Sequence, residues 1–418
     1  MPTWNISGAW NISEEPFWKG LEQTISTAKL RASYSLTGDA GPTSVSNSLV
    51  VIKSDNPWRP FSDLKESELY ISQTQNSDLT YEKKHEFDLG LDLGFLNNRI
   101  NFEGDLFWRN NYDLIAPCTT QGIGGSVSKY GNVATMKSKG IELTLSATPI
   151  KNKNFSWTSN FIYSHSTTEV TKLESTITMM RLISGTGFTM EGYPVRSLFS
   201  IQFEGLNEEG LPTFLDQDGN ISTTGIYFQT SNEETLKKTL VYSGPTDPTT
   251  TGSFGNIFRY KGLTLNVFVT YSFGNVVRLR SVFKKSYSDL ASTPKEFNNR
   301  WTVPGDENLT TVPVIASRRQ NYNDTHLSYA YNAYNYSTER IAKGDFIRMK
   351  EVSLGYDFPK SLIKPLKVNT LSLKLQATNL FLIYADKKLN GQDPEFFATG
   401  GVAVPVPRQF TMTLKFGL

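Results

Sequence analysis

Residues 82–115, EKKHEFDLGLDLGFLNNRINFEGDLFWRNNYDLI, decide the fold. Two alternating runs flank Asn97-Asn98, and Asn tolerates the left-handed backbone that a two-residue hairpin turn requires. With the turn there, Phe95 faces Ile100, Leu93 faces Phe102, Leu89 faces Leu106 and Phe87 faces Trp108, all on one side. Asp92 then faces Glu103, and Glu86 faces Arg109, on the other. A slip of one residue would scramble both faces, so the register is strongly specified. Each run continues for about ten residues or more beyond the turn, against five or six in an ordinary soluble sheet.

The same period of two recurs along the chain. Trp4, Ile6, Trp10 and Ile12 share one parity, as do Ala28, Leu30, Ala32, Tyr34 and Leu36. Phe155, Trp157, Phe161 and Tyr163 form a third set, and Leu263, Leu265, Val267, Val269, Tyr271 and Phe273 a fourth. Leu371, Leu373, Leu375 and Ala377 follow, and the chain ends on Phe410, Met412, Leu414, Phe416 and Leu418. This pattern predicts about twelve strands, near 3–13, 25–37, 82–96, 98–112, 138–149, 155–167, 193–205, 250–260, 262–274, 344–358, 367–379 and 408–418. Through 168–248 the order of short and long connections is hard to keep. No sustained helical period and no fixed repeat is present.

The opposite face carries Asp88, Asp92, Glu103, Asp105, Glu142, Lys374 and Lys415, too much charge for a second core. Long strands, aromatics near strand ends, connections alternating short and long, and apolar faces in a chain of low mean hydropathy together predict an all-β, antiparallel transmembrane β-barrel. On this reading Asp88, Asp92, Glu103, Asp105, Glu142 and Lys374 line the lumen. Two alternatives fit the alternation: a self-closed twelve-strand pore or rim-site barrel enzyme, and a soluble β-sandwich binding module with one solvated face.

Composition narrows the function. The 418 residues hold 42 Lys+Arg and 40 Asp+Glu, a net charge of +2 that gives no electrostatic case for a nucleic-acid partner. One cysteine, Cys118, rules out an internal disulfide and a thiolate metal cluster. His85, His165 and His326 sit on three separate segments, and no Ser/His/Asp or Cys/His arrangement has supporting context. The sequence therefore predicts no enzyme, no metal centre and no cofactor. No run of about 18 apolar residues occurs, so no transmembrane helix is expected.

Several stretches carry a family resemblance: 30–38 (LRASYSLTG), 82–115, 132–150 (NVATMKSKGIELTLSATPI), 155–173, 192–206 (GYPVRSLFSIQFEGL), 346–363 (FIRMKEVSLGYDFPKSLI), 373–380 (LKLQATNL) and 390–395 (NGQDPE). In this order they resemble the C-terminal barrel portion of SusC/RagA-type TonB-dependent outer-membrane transporters. The resemblance implies a bacterial outer-membrane location and a barrel of 22 strands, of which this chain supplies about half. It implies a plug domain and a SusD-like lipoprotein over the outer mouth. It further implies uptake of glycans or peptides driven by TonB through a short N-terminal box. Met1-Pro2-Thr3-Trp4 opens with no basic-then-apolar leader, so residues 1–418 are expected to be barrel alone, without signal peptide, TonB box or plug. Phe410, Met412, Leu414, Phe416 and Leu418 are the expected barrel-assembly signal, although the last residue is Leu where such barrels usually end in an aromatic.

Three motifs have plain readings beside functional ones. Asp216-Gln217-Asp218-Gly219-Asn220 begins like a calcium loop, but Ile221 and Tyr227 stand where an EF-hand needs Gly and Glu, which favours an Asp/Gly turn. Gly122–Ser126 is Gly-rich without the strand, helix or Lys-Ser/Thr pair of a phosphate loop. Residues 318–340 place Tyr322, Tyr329, Tyr331, Tyr334 and Tyr336 among asparagines, with Arg318 and Arg319 at one end. Flat rings and amides on a loop suit contact with a substrate or with the capping lipoprotein, and equally suit packing of the loop on itself.

Overall fold

The computed structural model describes residues 3–41, 50–56, 67–73, 75–122, 128–174, 177–224, 226–288, 293–324, 326–366, 368–396 and 405–417. Eleven strands form one antiparallel sheet in sequence order: β1 (Trp4–Asn11), β2 (Ile25–Asp39), β3 (Glu82–Phe95), β4 (Ile100–Thr119), β5 (Ser128–Lys151), β6 (Phe155–Leu173), β7 (Thr250–Tyr260), β8 (Leu263–Phe273), β9 (Phe346–Asp357), β10 (Thr370–Ala385) and β11 (Gln409–Gly417). Every strand thus pairs with its sequence neighbours, as in an up-and-down barrel wall. Among the described residues the outer edges of β1 and β11 carry no partner strand.

The β3–β4 hairpin has the register that the sequence dictates. Phe95 pairs with Ile100, Leu93 with Phe102, Asp92 with Glu103 and Phe87 with Trp108. Asn97 and Asn98 both adopt left-handed φ, and so does Leu96, which ends the strand at Phe95.

The face polarity is inverted relative to a soluble protein. One row runs Leu93–Phe102–Leu145–Phe161–Phe254–Val269–Met349–Phe381 across eight adjacent strands. Its members Leu145, Phe161, Phe254 and Phe381 are solvent-exposed, while Ser35, Ser253, Ser272, Arg348 and Ser353 on the opposite face are buried. A continuous exposed apolar belt costs free energy in water and is stabilised in lipid. Even polar groups on this face are satisfied locally: the Trp157 indole N–H donates to Asn256 Oδ1 at 2.9 Å, beside the stacked Trp157–Phe258 pair. Among the described residues no helix is long and apolar enough to cross a membrane; the strands, of nine residues or more apart from β1, supply the crossings.

One strand assignment is corrected. The expected strand at 193–205 is not part of the wall. Ser197–Ile201 pairs with Leu240–Pro245 in a separate two-stranded sheet, and all five of its residues are buried. A run buried on both faces shows strand-like hydrophobicity without marking a barrel wall. With eleven strands the connections fall in turn at one end and the other, and the second end holds the longer ones apart from 120–127. Residues 12–24, 96–99, 152–154, 261–262 and 358–369 close one end, and 40–81, 120–127, 174–249, 274–345 and 386–408 the other. Strands β4, β5 and β6 also run further toward the long-loop end than expected, β5 starting at Ser128 rather than at 138.

Candidate functional site

The lumen-side face carries a web of ion pairs. Arg31 lies 2.7 Å from Asp92 and 2.9 Å from Asp105, and the Ser33 hydroxyl donates to Asp88 at 3.2 Å. Glu86 accepts from Arg109 and sits 2.5 Å from Lys84, while the Arg109 guanidinium stacks on Phe107 at 4.0 Å. Lys374 approaches Glu351 at 3.8 Å, and Asn266 donates to the same carboxylate at 3.2 Å. Glu103 and Glu142 are exposed on this face. Phe107 is the one large ring buried there, and it fits because residue 140 is glycine: a Cβ at that position would meet the ring and the His165 carbonyl. All six residues expected on the polar face, Asp88, Asp92, Glu103, Asp105, Glu142 and Lys374, share it in the register.

At the long-loop end, segments 177–249 and 274–345 fold against each other into a body with its own hydrophobic core. Met179, Ile183, Phe199, Phe214, Phe228, Phe283, Phe297, Leu327 and Tyr334 are among its members. The helix Leu327–Asn335 buries Leu327, Ala330, Tyr331 and Tyr334, the i, i+3, i+4, i+7 face of a short amphipathic helix. Tyr334 meets Phe283 edge-on at 4.9 Å and Phe203 at 5.5 Å, and Phe283 stacks on Phe297 at 5.2 Å. The Asn335 amide both accepts from Phe283 N (3.1 Å) and donates to Phe283 O (2.8 Å), closing a buried polar pair.

The tyrosine-rich segment divides accordingly. Tyr331 and Tyr334, read from sequence as contact residues, are 2% and 1% exposed and pack the body's interior. Burial holds both phenols above their usual range, and Tyr331 donates to the Val314 carbonyl at 2.5 Å. Tyr336 is half-buried against Phe228 and the Arg278 guanidinium. Arg318, Arg319, Tyr322 and Tyr329 remain on the surface, Tyr322 at 86% exposure. The helical spacing 327–330–331–334 was the available signal, masked by a Tyr/Asn composition typical of recognition loops.

Three buried arginines stand outside the residues expected from sequence: Arg278 and Arg340 tie the loop body together, and Arg348 sits on the wall. Arg278 donates to Phe199 O (2.6 Å), Ser200 Oγ (3.0 Å) and Ser337 O (3.3 Å) without a carboxylate partner among the described residues; burial pulls its pKa down to about 10. Arg340 pairs with Glu296 and lies over Phe283 at 4.7 Å. Arg348, on the lumen face of β9, reaches Asp393 at 2.5 Å and Glu395 at 3.3 Å and so ties the last long loop to the wall. Asp393 also accepts from Glu395 N at 3.1 Å, which makes Asp393-Pro394-Glu395 a turn. A cavity of about 340 Å³ lies beside this tie, lined by Arg280, Arg348, Asn379, Gln392 and Arg408.

The remaining motifs take plain places. Asp216 Oδ1 accepts from Asp218 N and Asn220 N, both at 2.9 Å, which makes 216–220 an Asx turn closing Pro212–Leu215 onto Ile221–Ser222. Cys118 donates to Lys129 O at 3.3 Å in the β4–β5 ladder. Residues 123–126 of the glycine-rich stretch and Leu418 lie outside the described residues. His85 is sandwiched between Tyr34 and Tyr112 on the apolar face, and His165 contacts Thr250 at 2.8 Å, far from any nucleophile arrangement.

Known proteins share this architecture. The sequence profile of the family described as "TonB dependent receptor-like, beta-barrel" matches residues 3–380. TonB-dependent receptor P3 of Formosa agariphila is 26% identical over 410 residues, covering 93% of this chain and 37% of that protein. TonB-dependent receptor SusC of Bacteroides thetaiotaomicron is 26% identical over 439 residues, covering 99% of this chain and 39% of its own. The structure of the RagAB peptide transporter superposes with a TM-score of 0.77 at 24% identity, over 99% of this chain and 43% of the other. The chain spans about two fifths of the length of the relatives it matches. The profile match over nine tenths of the sequence and the inverted eleven-strand sheet identify this chain as a member of the TonB-dependent receptor β-barrel family, a piece of outer-membrane barrel wall with its outer loops.

Proposed function

We propose that this chain is the wall and outer mouth of a SusC/RagA-like transporter that imports oligomeric nutrients, glycans or peptides, across the outer membrane. The observation that carries the reading is the sheet itself: apolar outward, ion-paired inward, with a separately cored loop body at the long-loop end only. Two unpaired edges in an eleven-strand sheet favour a larger barrel completed by further chain over a self-closed pore, because bare strand edges are not tolerated in lipid. The outer body, with Arg318, Arg319, Tyr322 and Tyr329 on its surface, is the proposed contact for substrate and for a SusD-like surface lipoprotein. Phe410, Met412, Leu414 and Phe416, in register with Ala377, Leu375, Leu373 and Leu371, form the outward row of β11 and are proposed, with Leu418, as the assembly signal.

The test is deletion of the gene for the full-length protein in its source cells, followed by growth on single oligosaccharides and peptides as sole nutrient. Loss of growth on one oligomer but not on its monomer, restored by the wild-type gene and blocked by a protonophore, is expected. Unchanged growth on every oligomer that the parent strain uses would refute the reading.

A further inference from the structure

A groove of about 840 Å³ crosses the outward face of β2–β6 near the long-loop end. It begins one strand in from the open edge of β1, and the register orders its surroundings by height. Below the groove, outside its lining, Leu89, Leu106 and Ile141 form an apolar row. One step toward the loops comes Phe87–Trp108–Lys139–Thr167, with Phe87 and Trp108 stacked at 5.7 Å. The next step is His85–Asn110–Lys137–Glu169, where His85 stacks on Tyr34 at 5.7 Å and takes its hydroxyl at 2.9 Å. The outward face therefore passes from aliphatic below the groove to aromatic and cationic within it over three rows.

Two features of the upper rows have no use within the chain. Lys137 and Lys139 are exposed on an outward face, and neither forms an ion pair among the described residues, although Glu169 stands opposite Lys137. Asn110 Oδ1 is buried without a hydrogen-bond partner, next to both. A water-facing surface needs no aromatic floor beneath two lysines, and an ordinary lipid-facing surface needs no lysines. A membrane lipid whose headgroup carries an anionic phosphate monoester, without a cation of its own beside it, fits all of these. Its acyl chains would lie on the Leu89/Leu106/Ile141 row and its ring or glycerol portion on Trp108. Its phosphate would sit between two ammonium groups, where the low dielectric of the interface strengthens the attraction. A headgroup hydroxyl or N–H would satisfy Asn110.

We propose that this groove is a specific site for a phosphorylated lipid of the outer leaflet, held by Lys137 and Lys139 on the Phe87–Trp108 shelf. The proposal rests on the outward orientation of this face but not on transport. A protein that failed to import any oligomer could still bind the lipid, so the two readings fail separately.

The experiment uses the full-length protein in detergent, with native mass spectrometry and three probes: diphosphoryl lipid A, the same lipid with its phosphates removed, and phosphatidylethanolamine. The Lys137→Gln/Lys139→Gln double variant is compared with wild type and with Lys261→Gln, whose cation lies at the short turn between β7 and β8. Folding of each is checked by heat-modifiable gel mobility. The expected result is a one-to-one lipid A adduct whose occupancy falls about tenfold or more in the double variant and is unchanged in Lys261→Gln. Dephosphorylated lipid A and phosphatidylethanolamine should bind weakly and equally to all three. Equal retention of lipid A by the folded double variant, or equal binding of the phosphorylated and dephosphorylated lipid by wild type, would overturn the proposal.

Discussion

Tyr322 and Tyr334 belong to one loop segment and have opposite surroundings, which is where residue-level reading of the sequence reached its limit. Both are tyrosines among asparagines, and what separates them is a short helix and the partners Phe203 and Phe283. Tyr334→Ala removes edge contacts to Phe203 and Phe283 from a closed core and should cost the loop body about 3–5 kcal/mol. Tyr322→Ala should change stability by less than about 0.5 kcal/mol. Hydrogen-exchange protection of 327–335 in the full-length protein measures both. The buried arginines were equally illegible, because an Arg on a strand reads as a lumen or surface charge. The burial of Arg278 follows from carbonyls of Phe199 and Ser337 that are distant in sequence.

Elements were legible in proportion to their alternation. The β3–β4 hairpin could be paired residue by residue, because a half-buried or lipid-facing strand has one admissible register. Ser197–Ile201 could not, since a strand buried on both faces has no alternation to read. The short helix 327–335 gave only two turns of signal. The face assignment of β8 makes a paired prediction: Val267→Arg, at mid-strand, faces the apolar belt and should cost about 2–4 kcal/mol near the bilayer midplane. Asn266→Arg, one residue away on the lumen face, should be tolerated. Folded fraction after outer-membrane insertion, read by heat-modifiable mobility, separates the two. The tie between β9 and the last long loop makes another prediction. Arg348→Ala leaves the Asp393 carboxylate unpaired at a site where Arg348 is nine-tenths buried or more. Exchange at 387–396 should then accelerate at least about tenfold, while β9–β10 amides remain protected.

At the scale of the molecule, polarity and connection lengths decide. One sheet is apolar where a soluble protein would be polar, the two- to four-residue turns all lie at one end, and two loops at the other end are long enough to carry a core of their own. The sequence alone displayed the first two properties; the strand count came out as eleven rather than twelve only when the false wall strand was moved into the loop body. The loop body was invisible because its contacts join residues far apart, such as Phe203 with Tyr334. The account stands or falls on which face of the wall meets lipid. The direct measurement is spin-label accessibility at each position from 263 to 271 in the full-length protein, with Cys118 replaced by serine, in outer-membrane vesicles. Oxygen accessibility should peak at 263, 265, 267, 269 and 271, and that of a water-soluble nickel complex at the positions between. The inverse pattern, or no alternation along this strand, would contradict the account.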